Sequence, residues 1–466
     1  MREETGHRVS SPEPSGAASK RKHHSEVRPQ SRSQSKKQKL GFGAQTQTLK
    51  RHSYPKPPAS NRFASIAASS RSRNKRSRRN SFNSDCYRKW TFASHDFSEF
   101  KDKVVVVSYN ILGVENASNH PDLYSRVPWK FLKWDRRKEL ICKEIKSYNA
   151  SILCFQEVDR FDDLDDRLRN DGFRGIYKAR TGEANDGCAI FWTDKRFSLL
   201  HQENIEFRSY GLRDNVAQLC VLKVNRNQTE SESCKEGSKT TPTKSRSLLV
   251  GNIHVLFNPN RGDIKLGQVR LFLERAYKLS QEWGGIPVII AGDLNSIPQS
   301  ALYQFLASSE LDIRLHERRK ISGQLDHSIR CEDLRYRNEN VASTWMSISR
   351  PLTYTWSDEE IKLAAGSGGV ADLRHQLNLH SAYLRVPGSC RTRDNYGEPL
   401  ATSYHSKFMG TVDYIWHTEE LVPVRVLETL PIDVLRRSMG LPSERWGSDH
   451  LALVCELAFA DDGNRT

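Results

Sequence analysis

The sequence lacks several features that would place it in a specialised class of protein. Its nine cysteines form no Cys-x-x-Cys pair, and their odd, scattered arrangement predicts free thiols in a reducing compartment rather than a disulfide framework. No apolar run approaches the ~20 residues that a membrane-spanning helix needs. The N-terminus has no apolar segment of the kind found in secretory signal peptides, and no leucine-rich array precedes residue 100. A disulfide scaffold and a membrane-spanning protein are therefore excluded, and secretion is disfavoured.

Acidic residues are scarce at one end of the chain only. Residues 1 to 90 contain 22 Lys and Arg against 5 Asp and Glu, whereas the remainder is nearly neutral, so the formal net charge of +16 belongs to the N-terminal segment. This segment is rich in serine and poor in large apolar residues, which predicts a disordered basic tail over residues 1–90. Its clusters KRK, KKQK and RSRNKRSRR indicate either nuclear import or RNA contact, with a solvated tail that does neither as the alternative.

From Lys101 to about residue 460 the sequence alternates between apolar runs of strand length and segments with helical spacing. This order predicts an α/β fold with largely buried sheets, forming one domain over residues 101–460. Two segments interrupt it, a polar insertion at about 225–245 and a charged, variable segment at about 314–350. Helices are predicted over residues 135–148 and 263–283, and strands over KVVVVSYNIL, SILCFQEV, RSLLVGNIHV, IPVIIAGDLN, TVDYIWHT and LALVCELAF.

Polar residues stand where these apolar runs begin or end. Adjacent strand ends in a sheet lie about 4.8 Å apart, so several such residues are expected to meet at one edge. Asp293 and Asn295 are two residues apart and are predicted to face the same way on an extended strand. Singly, each residue has a structural explanation, since GDLN is typical of a turn and a lone strand histidine is typical of a core. The complete set is Asn110, Glu157, His254, Asp293, Asn295, Asp413, Asp449 and His450.

The residue types in this set indicate one kind of chemistry. Carboxylate and amide oxygens without thiolates favour a hard cation, Mg²⁺ or Mn²⁺, over zinc, with Glu157 as the natural ligand. His254 and His450 add proton transfer and oxyanion stabilisation near neutral pH. Because no side-chain nucleophile is evident, the combination predicts attack by water on a phosphate ester.

Six ordered motifs, SYNIL, FQEV, NIHV, GDLNSIP, GTVDYIW and GSDH, resemble those of the exonuclease–endonuclease–phosphatase superfamily over roughly residues 101–459. Within it, LKWDRRKELICKEI and HVLFNPNRGDIKLGQ are similar to segments of the carbon-catabolite-repressor-four and nocturnin deadenylases. The resemblance implies a two-sheet β-sandwich core flanked by helices. It also implies a plant-type member of that group without the leucine-rich domain.

The resemblance assigns roles to ten residues. It implies that Glu157 is the main Mg²⁺ ligand, with Asn110 close by and Asp449 assisting directly or through water. Asp293 and Asn295 would position the attacking water and the scissile phosphate, and His254 would stabilise the pentacovalent phosphorus or assist the leaving oxygen. Asp413 would orient His450. Residues matching Pro259 and Phe408 sandwich an adenine in the family, so base preference would arise from stacking.

The resulting functional prediction is a Mg²⁺-dependent 3′→5′ exoribonuclease that shortens poly(A) tails of mRNA and releases 5′-AMP. The first alternative is an enzyme of the same fold that acts on another phosphate ester, such as DNA or a dinucleotide phosphate. The second is a non-catalytic RNA-binding or scaffold protein. The expected partner is the poly(A) tail of mRNA, in the nucleus and cytoplasm and without a membrane. Contact with the multi-subunit deadenylase complex is in doubt. Family members dock onto it through leucine-rich repeats, and this sequence lacks that array.

Overall fold

The computed structural model describes residues 88–100, 102–225, 246–325 and 355–460. Three predicted segments fall wholly or partly outside the described residues. They are most of the basic tail, residues 226–245 of the polar insertion and residues 326–350 of the variable segment. Within the described part of the variable segment, residues 314–320 contribute to two short 3₁₀ helices. None of the described helices is long and apolar enough to cross a membrane.

Two mixed β-sheets form the centre of the fold. Sheet A has the strand order β1-β16-β17-β2-β3-β5-β4, and sheet B has the order β12-β15-β9-β8-β7-β6. Two further strand pairs, β10 with β11 and β13 with β14, lie outside these sheets. In chain order the strands are β1 Trp90–Phe92, β2 Lys103–Asn110, β3 Ile152–Gln156, β4 Phe173–Ala179, β5 Gly187–Thr193, β6 Phe197–Glu206, β7 Val216–Val224, β8 Ser247–His254, β9 Val288–Asp293, β10 Glu310–Asp312, β11 Asp372–Arg374, β12 Leu379–Ser381, β13 Ser403–His405, β14 Phe408–Gly410, β15 Asp413–Thr418, β16 Leu421–Leu427 and β17 Leu453–Phe459.

Helices cover the outer faces of the sheets. Both helices predicted from spacing, at 135–148 and 263–283, are confirmed to within one residue at each end. The described α-helices are α1 Val114–Asn119, α2 Trp134–Tyr148, α3 Phe161–Asn170, α4 Gly262–Glu282, α5 Ala301–Ser308, α6 Asp358–Ala365 and α7 Ile432–Arg437, and the 3₁₀ helices are Trp129–Phe131, Phe207–Tyr210, Ile313–Leu315 and Arg318–Lys320.

Three apolar layers hold the elements together. On α2, Ile141, Ile145 and Tyr148 are buried at helical spacing and pack against sheet A, while α4 packs against the outer face of sheet B. The layer between the sheets explains why the strand sequences are nearly continuous apolar runs. The predicted α/β fold, a two-sheet sandwich flanked by helices, is thus confirmed. The layer between the sheets includes Val104, Val106 and Ile152 of sheet A with Val250, Ile289 and Ile415 of sheet B.

Each sheet contains one parallel strand pair. In sheet A, β2 and β3 run parallel, and in sheet B, β8 and β9 do so. The carboxyl ends of parallel strands meet at the same edge of a sheet. Asn110 ends β2 and Glu157 follows β3, whereas His254 ends β8 and Asp293 ends β9. Four of the polar residues singled out in the sequence therefore arrive at one end of the sandwich.

Antiparallel partners bring the remaining polar residues to the same end. β15 runs antiparallel to β9 with Asp413, its first residue, opposite Asp293. β17 runs antiparallel to β2, with Leu453 opposite Ser108. The residues that precede β17, Asp449 and His450, therefore lie beside the end of β2.

Residues 88–90, which the sequence places in the basic tail, pack against the domain. Trp90 pairs with Leu427 in sheet A, although residues 88–90 were assigned to the tail. The largely buried guanidinium of Arg88 forms an ion pair of 3.3 Å with Glu144 and donates to Tyr148 Oη at 3.1 Å and to the Ala452 carbonyl at 2.5 Å. The prediction failed here because a three-residue strand carries too little periodicity to be recognised.

Candidate active site

A pocket of about 500 Å³ opens at the end of the sandwich where the polar residues meet. Asn110 and Asp413 lie directly behind its wall, bonded to residues that line it. The structure thus brings all ten predicted site residues together, while the role of each stays a prediction. Those lining the pocket are Glu157, His254, Pro259, Asp293, Asn295, Phe408, Asp449 and His450.

Glu157 is held by three N–H donors. Its Oε1 accepts from Asn110 Nδ2 at 3.0 Å, and its Oε2 accepts from Asn116 Nδ2 at 2.8 Å and from the Gly113 amide at 3.0 Å. Burial opposes the charge of this carboxylate, but the three hydrogen bonds lower its pKa below the ordinary value. The backbone at Glu157 has a φ of 57°, a conformation that costs energy for a non-glycine residue and turns the chain away from β3.

Asp449 faces the same space as Glu157. Its Oδ2 accepts from Tyr124 Oη at 2.9 Å. Burial raises the pKa of Asp449, His450 opposes this shift, and the negative charge of Glu157 adds to it. Two acids whose charges disfavour each other in a buried pocket, both with oxygen donors, fit a hard divalent cation, because bound positive charge would stabilise both.

Asn110 links the two sheets. Its Nδ2 donates to Glu157 and, at 3.1 Å, to Asp293 Oδ2, while its Oδ1 accepts from the Leu112 amide at 3.1 Å. In this orientation Asn110 presents nitrogen rather than oxygen to the carboxylates. The residue predicted to lie close to the metal therefore acts here as a bridge that fixes the acids of sheet A against those of sheet B.

Asp293 ends β9 at a tight contact with β8. A Cβ atom on Gly292 would lie 2.0 Å from the Ile253 carbonyl oxygen, so only glycine permits this approach. Asp293 is 2% exposed, and burial together with the charge of Asp413 raises its pKa to about 7. A carboxylate with a pKa near neutrality can accept and release a proton under physiological conditions.

Asn295 does not continue the strand, which corrects the prediction from alternation. β9 ends at Asp293, and Asn295 has a φ of 44° in a turn where its amide donates to Asp293 Oδ1 at 2.8 Å. Its Nδ2 contacts His254 Nε2 at 3.3 Å and donates to the Val255 carbonyl at 3.0 Å. Both amide hydrogens are thus used within the protein, which leaves the side-chain oxygen for a ligand.

The two histidines hold opposite charge states. Burial lowers the pKa of His254 to about 4, so its ring is neutral and Nε2 accepts from Asn295. Burial also disfavours charge on His450, but Asp413 and Asp449 outweigh it and raise its pKa well above the ordinary value. His450 Nδ1 lies 2.8 Å from Asp413 Oδ2, and its Nε2 lies 3.9 Å from Asp293 Oδ2. A charged His450 with Nδ1–H bound to Asp413 points a second donor toward Asp293 and the pocket.

Asp293, Asp413 and His450 also place ligand atoms within 4.8 Å of one another, a spacing that suits a metal ion. However, His450 Nδ1 is bound to Asp413, and the raised pKa of this histidine keeps its ring charged, so neither ring nitrogen offers a lone pair to a metal. The three residues therefore form a hydrogen-bonded acid–base chain, and the oxygen donors of Glu157 and Asp449 remain the better fit to a cation.

The wall of the pocket also contains apolar side chains. Pro259, Phe257 and Phe408 line it, with Phe257 57% exposed. Phe408 begins β14, and the turn between β13 and β14 carries Lys407, whose ammonium pairs with Asp122. The wall is therefore suited to a flat, apolar group beside a charged one.

Several residues of the pocket were not identified from sequence. Asn116 and Tyr124 support the acids, while Arg180, His405 and Lys407 line the pocket. Behind Asn295, the buried Lys265 donates to its carbonyl at 2.5 Å, and burial lowers the pKa of this lysine to about 7. In the sequence, these residues share only a position just after or between predicted strands. That position is too common to single out a functional residue.

Residues 107–450 match the Endonuclease/Exonuclease/phosphatase family. The chain belongs to this family. Its enzymes hydrolyse phosphate esters and typically depend on a divalent metal ion. The predicted family is thereby confirmed, and with it the general class of reaction.

Relatives within the family are similar over most of their length. Carbon catabolite repressor protein 4 homolog 5 of Arabidopsis thaliana is 60% identical over 417 residues, which cover 89% of this chain and 90% of that protein. Homolog 3 of the same organism is 48% identical over 370 residues, covering 78% and 77%. The crystal structure of ANGEL2, a 2′,3′-cyclic phosphatase, in complex with adenosine-2′,3′-vanadate, has a TM-score of 0.61 at 29% identity and covers 80% of this chain and 99% of that one.

Proposed function

We propose that this family member is a Mg²⁺-dependent 3′→5′ exoribonuclease that shortens the poly(A) tails of mRNA and releases 5′-AMP. The observation that carries the proposal is that Pro259 and Phe408 line the same pocket as Glu157, Asp293 and His450. A base stacked between the apolar pair would have its phosphate beside the acids and the charged imidazole.

In the proposed mechanism, Asp293 and His450 share the hydrolytic step. Asp293, with its pKa near neutrality, accepts a proton from water as the water oxygen forms a bond to phosphorus. The bond from phosphorus to the 3′-oxygen of the preceding nucleotide breaks, and that oxygen takes up a proton from solvent water as 5′-AMP departs. Asp293 then releases its own proton to solvent, which restores the starting state. Charged His450 donates a hydrogen bond to the phosphoryl oxygen that gains negative charge. Asp413 is a positioning residue, because it fixes the proton on Nδ1 of His450.

Glu157 and Asp449 would hold the Mg²⁺ ion, with Asn110 keeping Glu157 in place. When bound, the ion supplies positive charge that stabilises the phosphate in the transition state. Neutral His254 accepts from Asn295 Nδ2, so its support for the reaction is the orientation of Asn295.

A time course on an end-labelled RNA that ends in A20, resolved to single nucleotides, tests this function. The expected result is a ladder of one-nucleotide steps that requires Mg²⁺ and yields 5′-AMP, with a matched U20 substrate degraded more slowly. Phe408→Ala should reduce the preference for A20 over U20 while the dependence on Mg²⁺ persists. An abrupt internal cut, or equal rates on A20 and U20 in the unaltered protein, would refute the proposal.

A second candidate is hydrolysis of a terminal 2′,3′-cyclic phosphate, which the similarity to ANGEL2 favours. The same acid–base residues would serve, since water again attacks phosphorus and a ribose oxygen leaves. A mononucleotide with a 2′,3′-cyclic phosphate, offered beside A20 at equal concentration, separates the two activities by the rate of each.

The partner would be the poly(A) tail of mRNA, with the protein present in the nucleus and the cytoplasm. Contact with the multi-subunit deadenylase complex would be indirect or mediated by the basic tail. Affinity purification of the full chain, followed by identification of bound RNA and protein, tests these assignments, and imaging of the tagged full chain tests the location.

A further inference from the structure

A basic aromatic surface lies beside the pocket and is not part of it. We define this surface by Arg126, Trp129, Lys130, Phe131, Lys133 and Arg136. Trp129 is 71% exposed, more than any other large hydrophobic side chain among the described residues. A single exposed apolar side chain is common on protein surfaces, so what distinguishes Trp129 is the set of basic and aromatic groups around it.

Cations surround the two rings of this surface. Lys133 Nζ lies 4.4 Å from the centroid of the Trp129 ring. Lys130 and Arg136 lie 5.1 Å and 5.0 Å from the centroid of the Phe131 ring. Aromatic rings interleaved with basic side chains match a polyanion that also has flat groups to stack, which is the chemistry of single-stranded nucleic acid.

The surface is continuous with the wall of the pocket. Tyr124 lines the pocket, and the turn that follows it leads to the 3₁₀ helix Trp129–Phe131, with the Val127 amide donating to the Tyr124 carbonyl at 2.9 Å. Phe131 packs against the apolar cluster that contains Leu112 and Tyr124, both of which line the pocket. The basic aromatic surface is therefore built on the same packed shell as the proposed active site.

We infer that the basic aromatic surface is a second RNA-binding subsite, which holds nucleotides on the 5′ side of those in the pocket. The inference rests on the proposed function and extends it. A base stacks on Trp129 while Lys130, Lys133 and Arg136 meet the neighbouring phosphates. Stacking on one open ring face discriminates little between bases, so this subsite contributes affinity for longer RNA. The proposed two-sided stacking between Pro259 and Phe408 contributes the preference for adenine.

Binding of RNA of two lengths to the full chain tests the inference. Asp293→Asn, which silences cleavage, serves as the parent, and binding of labelled A20 and of the dinucleotide ApA is measured by anisotropy. Adding Trp129→Ala should weaken A20 binding by about 5- to 100-fold and leave ApA binding unchanged. Trp283→Ala is the matched control, because Trp283 is exposed at the end of α4 and does not line the pocket.

Salt dependence distinguishes stacking from charge. Lys133→Glu should also weaken A20 binding, and its effect should shrink as salt rises, whereas the effect of Trp129→Ala should persist. The full chain retains its basic tail in every variant, so the contribution of the tail cancels. Thermal unfolding at an unchanged midpoint verifies that each variant is folded.

Two results would overturn the inference: A20 binding unaffected by Trp129→Ala, or an equal loss of affinity for A20 and ApA. Failure of the proposed function has a different signature. If unaltered protein binds A20 in a manner that depends on Trp129 but does not shorten it with Mg²⁺, the subsite stands and the proposed activity falls.

Discussion

Glu157, which follows a strand of sheet A, and Asp293, which ends a strand of sheet B, are acids of one pocket with opposite surroundings. Three N–H donors surround Glu157 and lower its pKa, whereas Asp293 is buried beside Asp413 and its pKa is raised to about 7. Two carboxylates of one pocket thus have pKa values shifted in opposite directions. In the proposed mechanism, Glu157 stays charged, as a cation requires, and Asp293 exchanges a proton, as hydrolysis requires.

The largest expected loss of activity comes from removing Asp293, the proposed proton acceptor of sheet B. Asp293→Asn should lower kcat on A20 by about 10²- to 10⁴-fold, because the amide cannot accept a proton from water. Steady-state kinetics with saturating Mg²⁺ measure the effect. Asp372→Asn, at an exposed position in β11, is the control and should match the unaltered protein. Retention of more than half of kcat in Asp293→Asn would remove Asp293 from the mechanism.

The hydrogen bond between Asp413 and His450 gives a prediction about pH. Asp413→Asn should lower kcat by about 10²-fold at pH 8, because His450 loses the partner that keeps its pKa raised. The direction of the pH effect depends on which protonation state of His450 is active. Protonated His450 is active, so a lowered pKa means that the variant loses its charge as pH rises. The ratio of variant to unaltered activity should therefore fall from pH 6 to pH 9, and a constant ratio would contradict the role of Asp413.

A smaller effect, on the Mg²⁺ requirement, is expected from a substitution beside the acids proposed to bind the metal. Tyr124→Phe removes the hydroxyl that donates to Asp449 and should raise the Mg²⁺ concentration for half-maximal activity by about 10-fold, with kcat at saturating Mg²⁺ nearly unchanged. A metal titration measures this shift. Tyr210→Phe, at a 54% exposed position, serves as the control. A lower kcat at saturating Mg²⁺ with an unchanged metal requirement would place Tyr124 on the proton-transfer side instead.

A buried acid outside the pocket shows what burial alone does. Burial raises the pKa of Glu398 to about 7, against hydrogen bonds from Ser381 and Tyr303. The folded pKa exceeds the unfolded value, so this residue costs stability as pH rises from about 4.5 to about 7. Glu398→Gln should therefore be more stable than the unaltered protein at pH 8, by about 3 kcal/mol at most, and equally stable at pH 4. Chemical unfolding at both pH values measures this, and kcat should not change.

The sequence allowed the strands and their polar ends to be predicted because both depend on local pattern. KVVVVSYN and VIIAGD are buried runs. Of the residues that end them, Asp293 lines the pocket and Asn110 lies directly behind its wall, bonded to Asp293. Which strands run parallel is a property of the whole chain. The predicted strand ends do meet, because each sheet has one parallel strand pair with its carboxyl ends at the same end of the sandwich. Local sequence pattern does not show which strands pair in this way.

The failures have equally definite causes. Asn295 was placed on an extended strand because alternation was assumed to continue, whereas the left-handed backbone at residue 295 ends it. Asn116, Tyr124 and Lys407 act through contacts between segments that are distant in sequence, such as Tyr124 with Asp449, and no local pattern encodes such a pair. The supporting residues of a site are therefore harder to predict than the residues that they support.

The position of Arg88 has a practical consequence for anyone who shortens this protein. Its guanidinium reaches the Ala452 carbonyl, two residues beyond His450, and neutralises buried Glu144. A fragment that starts at residue 91 would discard this side chain and leave the buried Glu144 without its ion-pair partner, a loss typically worth about 3–5 kcal/mol. Expression should therefore begin upstream of Arg88, or a weakened enzyme will be mistaken for an inactive one.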